Sequence, residues 1–371
     1  MTIGARRLTV LASQPSFAMP PRITLDDVAA AAGVATSTVS RALRSHSRIP
    51  RETRERIRKI ADSMGYRPDP LLTALAVRHR LKAAFSGVTT IAYVTNSRDF
   101  VRRRKMAGRT ASPGMTAESN YQEICLAGAK ARAEELGYQL EPFGIEEIEM
   151  PEQRLSDILY ARGICGVCVA PMATFDDRLA LDWSHFSCAA IGYSLKSPVL
   201  HRSAAHHFQG ILLALEELKR LGHRRIGVTL AAATDKRVGE LWHAGFLLCK
   251  QHARSPRLSL LIQENAPSSR QAALDWYCRE KPDAILGNAT TKNWLEAAGV
   301  KIPQEVDFTF LHWRPGDRPL GGIDQQTERV AAAAIDLVVD QIQRNERGIP
   351  DSPKTVLVNG IWRAGGGVPA V

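Results

Sequence analysis

The sequence predicts an α/β protein in which a small all-α head precedes two doubly wound α/β lobes. Three observations predict it. The excess basic charge sits in the first quarter of the chain, and two short helices hinged on a glycine lie within that quarter. From Gly87 onward, short apolar runs alternate with amphipathic stretches in two cycles. The 371 residues suffice for two or three folded units at roughly 100–200 residues each. Hydrophobic residues make up 44% and charged residues 23%, which excludes whole-chain disorder, collagen and a coiled-coil rod. The apolar runs are too short for a membrane span, and Leu8 to Ser13 is too short for the core of a signal peptide. A cytoplasmic chain is expected, and six cysteines fit a reducing compartment better than a disulfide framework.

The formal charge of +11 is unevenly placed: residues 1–85 hold 15 Lys and Arg against 6 Asp and Glu, and the remaining 286 hold 34 against 32. A compact basic segment on a nearly neutral body suggests a nucleic-acid-binding head. Composition alone leaves an anionic membrane surface open.

Thr24-Leu25-Asp26-Asp27 has the form of a helix start, a hydroxyl N-cap followed by acidic residues where the helix dipole favours them. Leu25, Val28, Ala29 and Ala32 recur at helical spacing, Gly33 interrupts, and Thr36 to Leu43 forms a second helix with Val39 and Leu43 on one face. After a loop from Arg44 to Pro50, a third helix runs from about Arg51 to Met64. Its inner stripe is Ile57, Ile60, Ala61 and Met64, and Gly65 ends it.

In a helix-turn-helix the second helix enters the major groove by its N-terminal turn. That turn holds Thr36, Ser37 and Thr38, whose hydroxyls reach base edges or phosphates. Arg41, one turn on, has the reach for a bidentate contact to a guanine. Thr38, Ser40 and His46 suit phosphate contacts. Spacing alone equally allows a generic three-helix bundle whose arginines form a solvated face.

The run Ile23-Thr-Leu-Asp-Asp-Val-Ala-Ala-Ala-Ala-Gly-Val-Ala-Thr-Ser-Thr-Val-Ser-Arg-Ala-Leu43, with Thr53-Arg-Glu-Arg-Ile57 and Gly65-Tyr-Arg-Pro68, resembles the headpiece of the LacI/GalR bacterial transcription regulators. The resemblance implies a DNA-binding headpiece over 21–68 and adds Thr24 and Tyr66 to the candidate DNA contacts. It also implies a hinge helix and linker over 69–86 that order when two chains meet on DNA. There Pro70 is pre-set for a first turn, Leu75-Ala76 match the family's Leu-Ala pair, and Leu75 wedges into a minor-groove step and kinks the duplex. So short a helix is marginal alone in water, so its folding depends on DNA and a partner chain. An apolar linker helix packed on the body is the alternative. Two positions depart from the family: Ala35 and Pro50 replace serines, and each weakens a cap, although proline is acceptable in a first turn.

In the body, strands are expected at 88–94, 163–169, 188–192, 225–230, 259–263, 284–286 and 355–359. Helices are expected at 121–136, 209–221, 239–252 and 270–280. Ligands of doubly wound sheets bind beyond the strands' carboxyl ends. Leu221-Gly-His-Arg-Arg-Ile-Gly227, Ala244-Gly-Phe246, Lys281-Pro-Asp-Ala-Ile285 and Ile302-Pro-Gln-Glu-Val306 extend the resemblance to the family's effector domain, which is periplasmic-binding-protein-like, type I. The body, 87–371, is then an effector-binding and dimerisation domain. Its first lobe takes about 87–200 and 324–352, its second 201–323 and 353–371.

The departures from the family shape the expected ligand. Trp242 stands where an arginine often grips ligand hydroxyls, and Asn288-Ala289 replace Asn-Asp. His312-Trp313 replace an acidic pair, and His206-His207 replace Asp-Asn. Tyr121 matches a position where the family stacks an aromatic. The expected pocket is lined by Tyr121, Trp242, Asn288 and Trp313, and an ordinary monosaccharide is disfavoured because its hydroxyls need buried polar partners. A flatter, less hydroxylated or larger small molecule, carbohydrate-derived or aromatic, is expected; a filled cleft without an effector is the alternative.

Other signals lead nowhere chemical. Cys165-Gly-Val-Cys168 has metal or redox spacing, but residues three apart on a strand face opposite ways and no second ligand pair is placed, so core thiols are expected. No catalytic constellation, P-loop or dinucleotide fingerprint occurs, and neither a cofactor nor a metal is expected. The basic stretch 98–120 reads as a solvated loop or as a lid over the cleft, and residues 1–20 as a disordered arm or a misassigned start. The expected function is a homodimeric regulator, a repressor, on a double-stranded DNA operator, with no membrane partner. The competing class is a cytoplasmic small-molecule-binding module with an incidental basic head.

Overall fold

A computed structural model of the chain describes residues 23–43, 49–66, 89–96, 117–145, 152–172, 177–252, 256–264, 266 and 268–365. The expected arm over 1–20, His46, the hinge with Leu75 and Ala76, and residues 98–116 of the basic stretch lie outside the described residues. The chain divides into two compact units, Met1–Leu75 and Ala76–Val371.

The head contains α1 (Leu25–Ala32), α2 (Thr36–Leu43) and α3 (Arg51–Ser63). Thr24 caps α1 reciprocally: its Oγ1 accepts from the Asp27 amide, and its own amide donates to Asp27 Oδ2 at 2.8 Å. Gly33 closes α1 at φ 64, a left-handed conformation that glycine adopts without steric cost. Pro50 provides no side-chain bond to the start of α3, as expected from the lost serine. Val28, Ala29, Ala32, Val39, Ala42, Ile57 and Ala61 make the core. The inward stripe of α2 is therefore Val39 and Ala42, with Leu43 at its margin, because the helix sinks until its small residue reaches α1 and α3.

The body holds two six-stranded sheets. The first contains β1 (Thr90–Thr95), β2 (Gln139–Gly144), β3 (Gly166–Val169), β5 (Ser187–Ile191), β7 (His201–Ala205) and β13 (Thr355–Val358), in the order β13-β7-β5-β3-β1-β2, all parallel. The second contains β8 (Arg225–Ala231), β9 (Arg257–Gln263), β10 (Ala284–Gly287), β11 (Asp307–Phe310), β12 (Gly321–Asp324) and β14 (Ile361–Arg363), in the order β14-β12-β11-β10-β8-β9. Only β14 runs antiparallel. A short ribbon pairs β4 (Asp177–Arg178) with β6 (Leu195–Ser197).

The expected lobe boundaries need correction. Residues 201–205 and 355–358 are strands of the first sheet, so the second lobe takes over only after each of them, and 321–324 belongs to the second sheet. Each crossing follows the end of a strand, since a strand that has found its neighbours cannot leave them midway without orphaning its backbone groups.

Helices cover both sheets. The first carries α4 (Ala117–Glu135), α5 (Glu152–Ala161) and α11 (Thr327–Arg344). The second carries α6 (His207–Arg220), α7 (Ala232–Arg237), α8 (Leu241–His252), α9 (Ser269–Glu280) and α10 (Ala289–Ala297). The sequence reading passed over α11, although it buries Val330, Ala331, Ala334, Ile335, Val338 and Val339 against α4 and the first sheet. Cys165 and Cys168 are both buried in that same core, which corrects the expectation of opposite faces: Cys165 precedes the first residue of β3, where strand alternation does not hold. Burial pushes both thiols up.

At Gly128, α4 meets α11 backbone to backbone, and a Cβ there would overlap the main chain of Glu328. Gly128→Val is therefore expected to destabilise the body by about 1–3 kcal/mol or more, since the obstacle is main chain and cannot rotate away. An unchanged midpoint in urea unfolding would refute this account of the contact.

Candidate functional site

The first candidate surface is the exposed face of α2. Ser37 and Arg41 are both exposed and lie one turn apart, opposite the buried pair Val39 and Ala42. Thr36 is half-buried and donates its hydroxyl to Asp26 Oδ1 at 2.6 Å, which ties the first turn of α2 to that of α1. Thr38 and Ser40 flank the exposed stripe and are half-buried. Thr24 has its hydroxyl engaged with Asp27 at 2.7 Å, and Tyr66 packs against the head's core. Ser37 and Arg41 thus present free-standing side chains, whereas Thr24, Thr36 and Tyr66 are held by the fold.

The second candidate site lies between the lobes of the body. A cavity of about 280 Å³ is lined by Tyr121, Pro171, Gly192, Tyr193, Ser194, His207, Thr234, Arg237, Val238, Trp242, His312, Arg314 and Gln325. Most of these residues follow the carboxyl end of a strand, as the parallel sheets demand. A second cavity of about 240 Å³ shares Thr234, Trp242, His312 and Arg314, and extends to Asn288 and Asp317. The lobes touch across the site: Arg237 Nη2 donates to the Met172 carbonyl at 2.9 Å, and the Tyr121 and His312 rings meet edge-on at 5.6 Å.

Tyr121 and Trp242 line the cleft as the sequence suggested. Asn288 borders the second cavity, but its Oδ1 accepts from the Thr291 amide at 2.9 Å and caps α10. Trp313 is a core residue, which corrects its expected place in the pocket. It is 6% exposed, its indole donates to the Leu320 carbonyl at 2.9 Å, and it packs with Phe308 and Phe310. After the turn at Leu311 and His312 the backbone is extended again at Arg314, and His312 and Arg314 line the cleft while Trp313 between them lies in the core.

The sequence reading also missed Tyr193, Arg237 and Arg314. The strand-end rule would have singled out the loop after β11, but it could not say which of its residues turn inward. His206 Nδ1 accepts from the Gln209 amide and caps α6, leaving His207 on the cavity wall. Among the described residues no cluster of His, Cys, Asp and Glu is placed to hold a metal.

The two cleft histidines are held neutral. Burial, the leading cause in each, lowers both from 6.5 to about 3, helped at His207 by His312 and His206, and at His312 by Arg314. An unfolded histidine takes up its proton near 6.5, so between that value and about 3 the unfolded chain binds more protons than the folded one. Stability is therefore expected to fall as the pH is lowered below about 6.5. His312→Phe should flatten that slope in pH-dependent thermal unfolding, and an equal slope in wild type and variant would count against the buried neutral pair.

Comparison with known proteins agrees with this geometry. The family profile of the bacterial regulatory proteins, lacI family, matches residues 24–69, and that of the periplasmic binding protein-like domain matches 215–364. No curated protein sequence matches the chain. Among solved structures, the lac repressor dimer bound to operator and the anti-inducer ONPF is 16% identical, with a TM-score of 0.51 over 92% of this chain and 98% of that one. A regulatory protein of the LacI family from Chloroflexus aggregans is 19% identical, with a TM-score of 0.52 over 74% of this chain and 96% of that one. With a helix-turn-helix head matched by one profile and a two-lobed body matched by the other, the chain belongs to the LacI family of bacterial transcription regulators.

Proposed function

We propose that the chain is a homodimeric, sequence-specific DNA-binding regulator, a repressor, whose two heads read a pseudo-palindromic operator and whose DNA affinity is set by a small molecule in the cleft. The observation that carries this reading is the exposed pair Ser37 and Arg41, set opposite the core-facing residues of α2. A side chain there enters a major groove without disturbing the packing behind it. The guanidinium has the geometry for a guanine's O6 and N7, and the hydroxyls of Thr38 and Ser40 suit phosphate contacts. The lac repressor, similar in fold, is described as a dimer on operator DNA with a small ligand, and the same assembly is proposed here. Leu75 and Ala76, on the sequence resemblance, supply the minor-groove wedge.

The cleft draws its walls from both lobes, with Tyr121 and Tyr193 on the first and Trp242 and Arg314 on the second. A ligand bridging them favours one lobe arrangement over another by its differential contacts, and this biases the spacing of the two heads. Such coupling typically amounts to about 1–3 kcal/mol and is reciprocal, so DNA must alter ligand affinity by the same factor.

Selection from a random duplex pool, followed by titration of the selected site, tests the reading. Arg41→Ala is expected to cost about 1–3 kcal/mol and to relax preference at one base pair per half-site. A uniform loss on selected and random duplexes alike would reduce Arg41 to a phosphate contact. Equal wild-type affinity for both duplexes would leave only electrostatics.

A further inference from the structure

The charge inside the cleft narrows the class of molecule it takes; this step rests on the cleft being the effector site. Two arginines, Arg237 and Arg314, line the first cavity, and no acidic residue is among the described residues around it. The second cavity adds Asp317, whose Oδ2 accepts from the Arg314 amide at 2.7 Å and whose charge favours the Arg314 cation without hydrogen-bonding its Nε. Arg314 Nε is buried without a hydrogen-bond partner, and burial works against its charge.

A desolvated guanidinium donor left unpaired is costly, and it signals an acceptor missing from the site. A second orphan lies on the same wall. His207 is only 8% exposed, lines the cavity, and its Nδ1 has no partner. With both histidines neutral, the positive charge of the site comes from the arginines. His207 also opens the 14-residue helix α6, whose dipole places its positive end on that wall.

The rest of the wall is uncharged and largely aromatic, with Ser194, Thr234 and Gln325 as neutral polar members. Trp242 packs edge-on against His207 with ring centroids 5.0 Å apart, and Tyr121 and Tyr193 face the same space. At about 280 Å³ the cavity falls just below the roughly 300–1,000 Å³ usual for ligand sites, which suits one ring with a short substituent. A neutral sugar fits poorly. It finds neutral polar partners in Ser194, Thr234 and Gln325, but it brings no charge to balance a guanidinium.

We propose that the effector is a small aromatic carboxylate, its oxygens on the Arg314 guanidinium beside Arg237 and its ring against Tyr121 and Trp242. A planar carboxylate matches the two-pronged donor set of arginine, which a phosphate ester matches less economically in so small a site.

The test uses the full chain with benzoate and 4-hydroxybenzoate at millimolar concentration, beside benzamide, benzyl alcohol, glucose and glucose 6-phosphate. Binding is read by thermal shift and calorimetry, and DNA affinity is read in the same samples. The carboxylates are expected to raise the melting temperature while benzamide and benzyl alcohol leave it unchanged. Arg314→Gln should weaken benzoate at least about tenfold without lowering the ligand-free melting temperature, since it removes an unpaired donor, and Arg314→Lys should retain part of the affinity. Benzamide binding as well as benzoate, benzoate binding that survives Arg314→Gln, or preference for glucose 6-phosphate would each overturn the proposal. If glucose alters DNA affinity and the carboxylates do not, the cleft is still an effector site and only the anion assignment fails. If no probe changes either readout, both readings fail together.

Discussion

Every strand but one in the two large sheets runs parallel to its neighbours, and the rest of the molecule depends on that constraint. Parallel strands end at a common edge, so the loops leaving their carboxyl ends emerge side by side. Pro171, Ser194, Thr234, Asn288, His312 and Gln325 come from six different strand ends and are brought together for this reason alone. The chain passes between the lobes after β7, β12 and β13, so the two strand-end edges are held facing each other across one gap. A cleft is the consequence, and the parallel pairing that stabilises each lobe also builds its wall.

The electrostatics of that wall follow from burial. A histidine taken from water in the company of other basic groups gives up its proton, and His207 and His312 do so. An arginine cannot follow, because its guanidinium stays protonated under any condition in which the protein is folded. The cleft is therefore cationic through Arg237 and Arg314, while its histidines act as neutral polar surfaces. Trp242 in place of an arginine and His312-Trp313 in place of an acidic pair remove charge of both signs; the folded wall supplies positive charge alone, from Arg237 and Arg314 nearby.

The head works by a simpler division. Its three short helices have too little area to be stable singly, so their apolar stripes are spent on one another, and the remaining face of α2 is left to the solvent. The bond from Thr36 to Asp26 fixes the angle at which that face is presented. Thr36 thus holds in place the turn that carries Ser37 and Arg41.

Local signals determined the helix starts, the hinge at Gly33, the close of α3 before Gly65 and most body strands, because capping, glycine conformation and apolar periodicity act over a few residues and are written in them. The concentration of basic charge pointed to a nucleic-acid-binding head, and the run of residues from Ile23 to Leu43 carried the resemblance to the family. Tertiary structure alone decided which lobe owns residues 201–205 and 355–358, since sheet membership is a pairing between segments distant in sequence. It alone placed α11 beneath the first sheet, turned Trp313 into the core and aimed Arg314 into the cleft. Side-chain direction in a loop is set by what it packs against, and no periodicity within the loop records that partner.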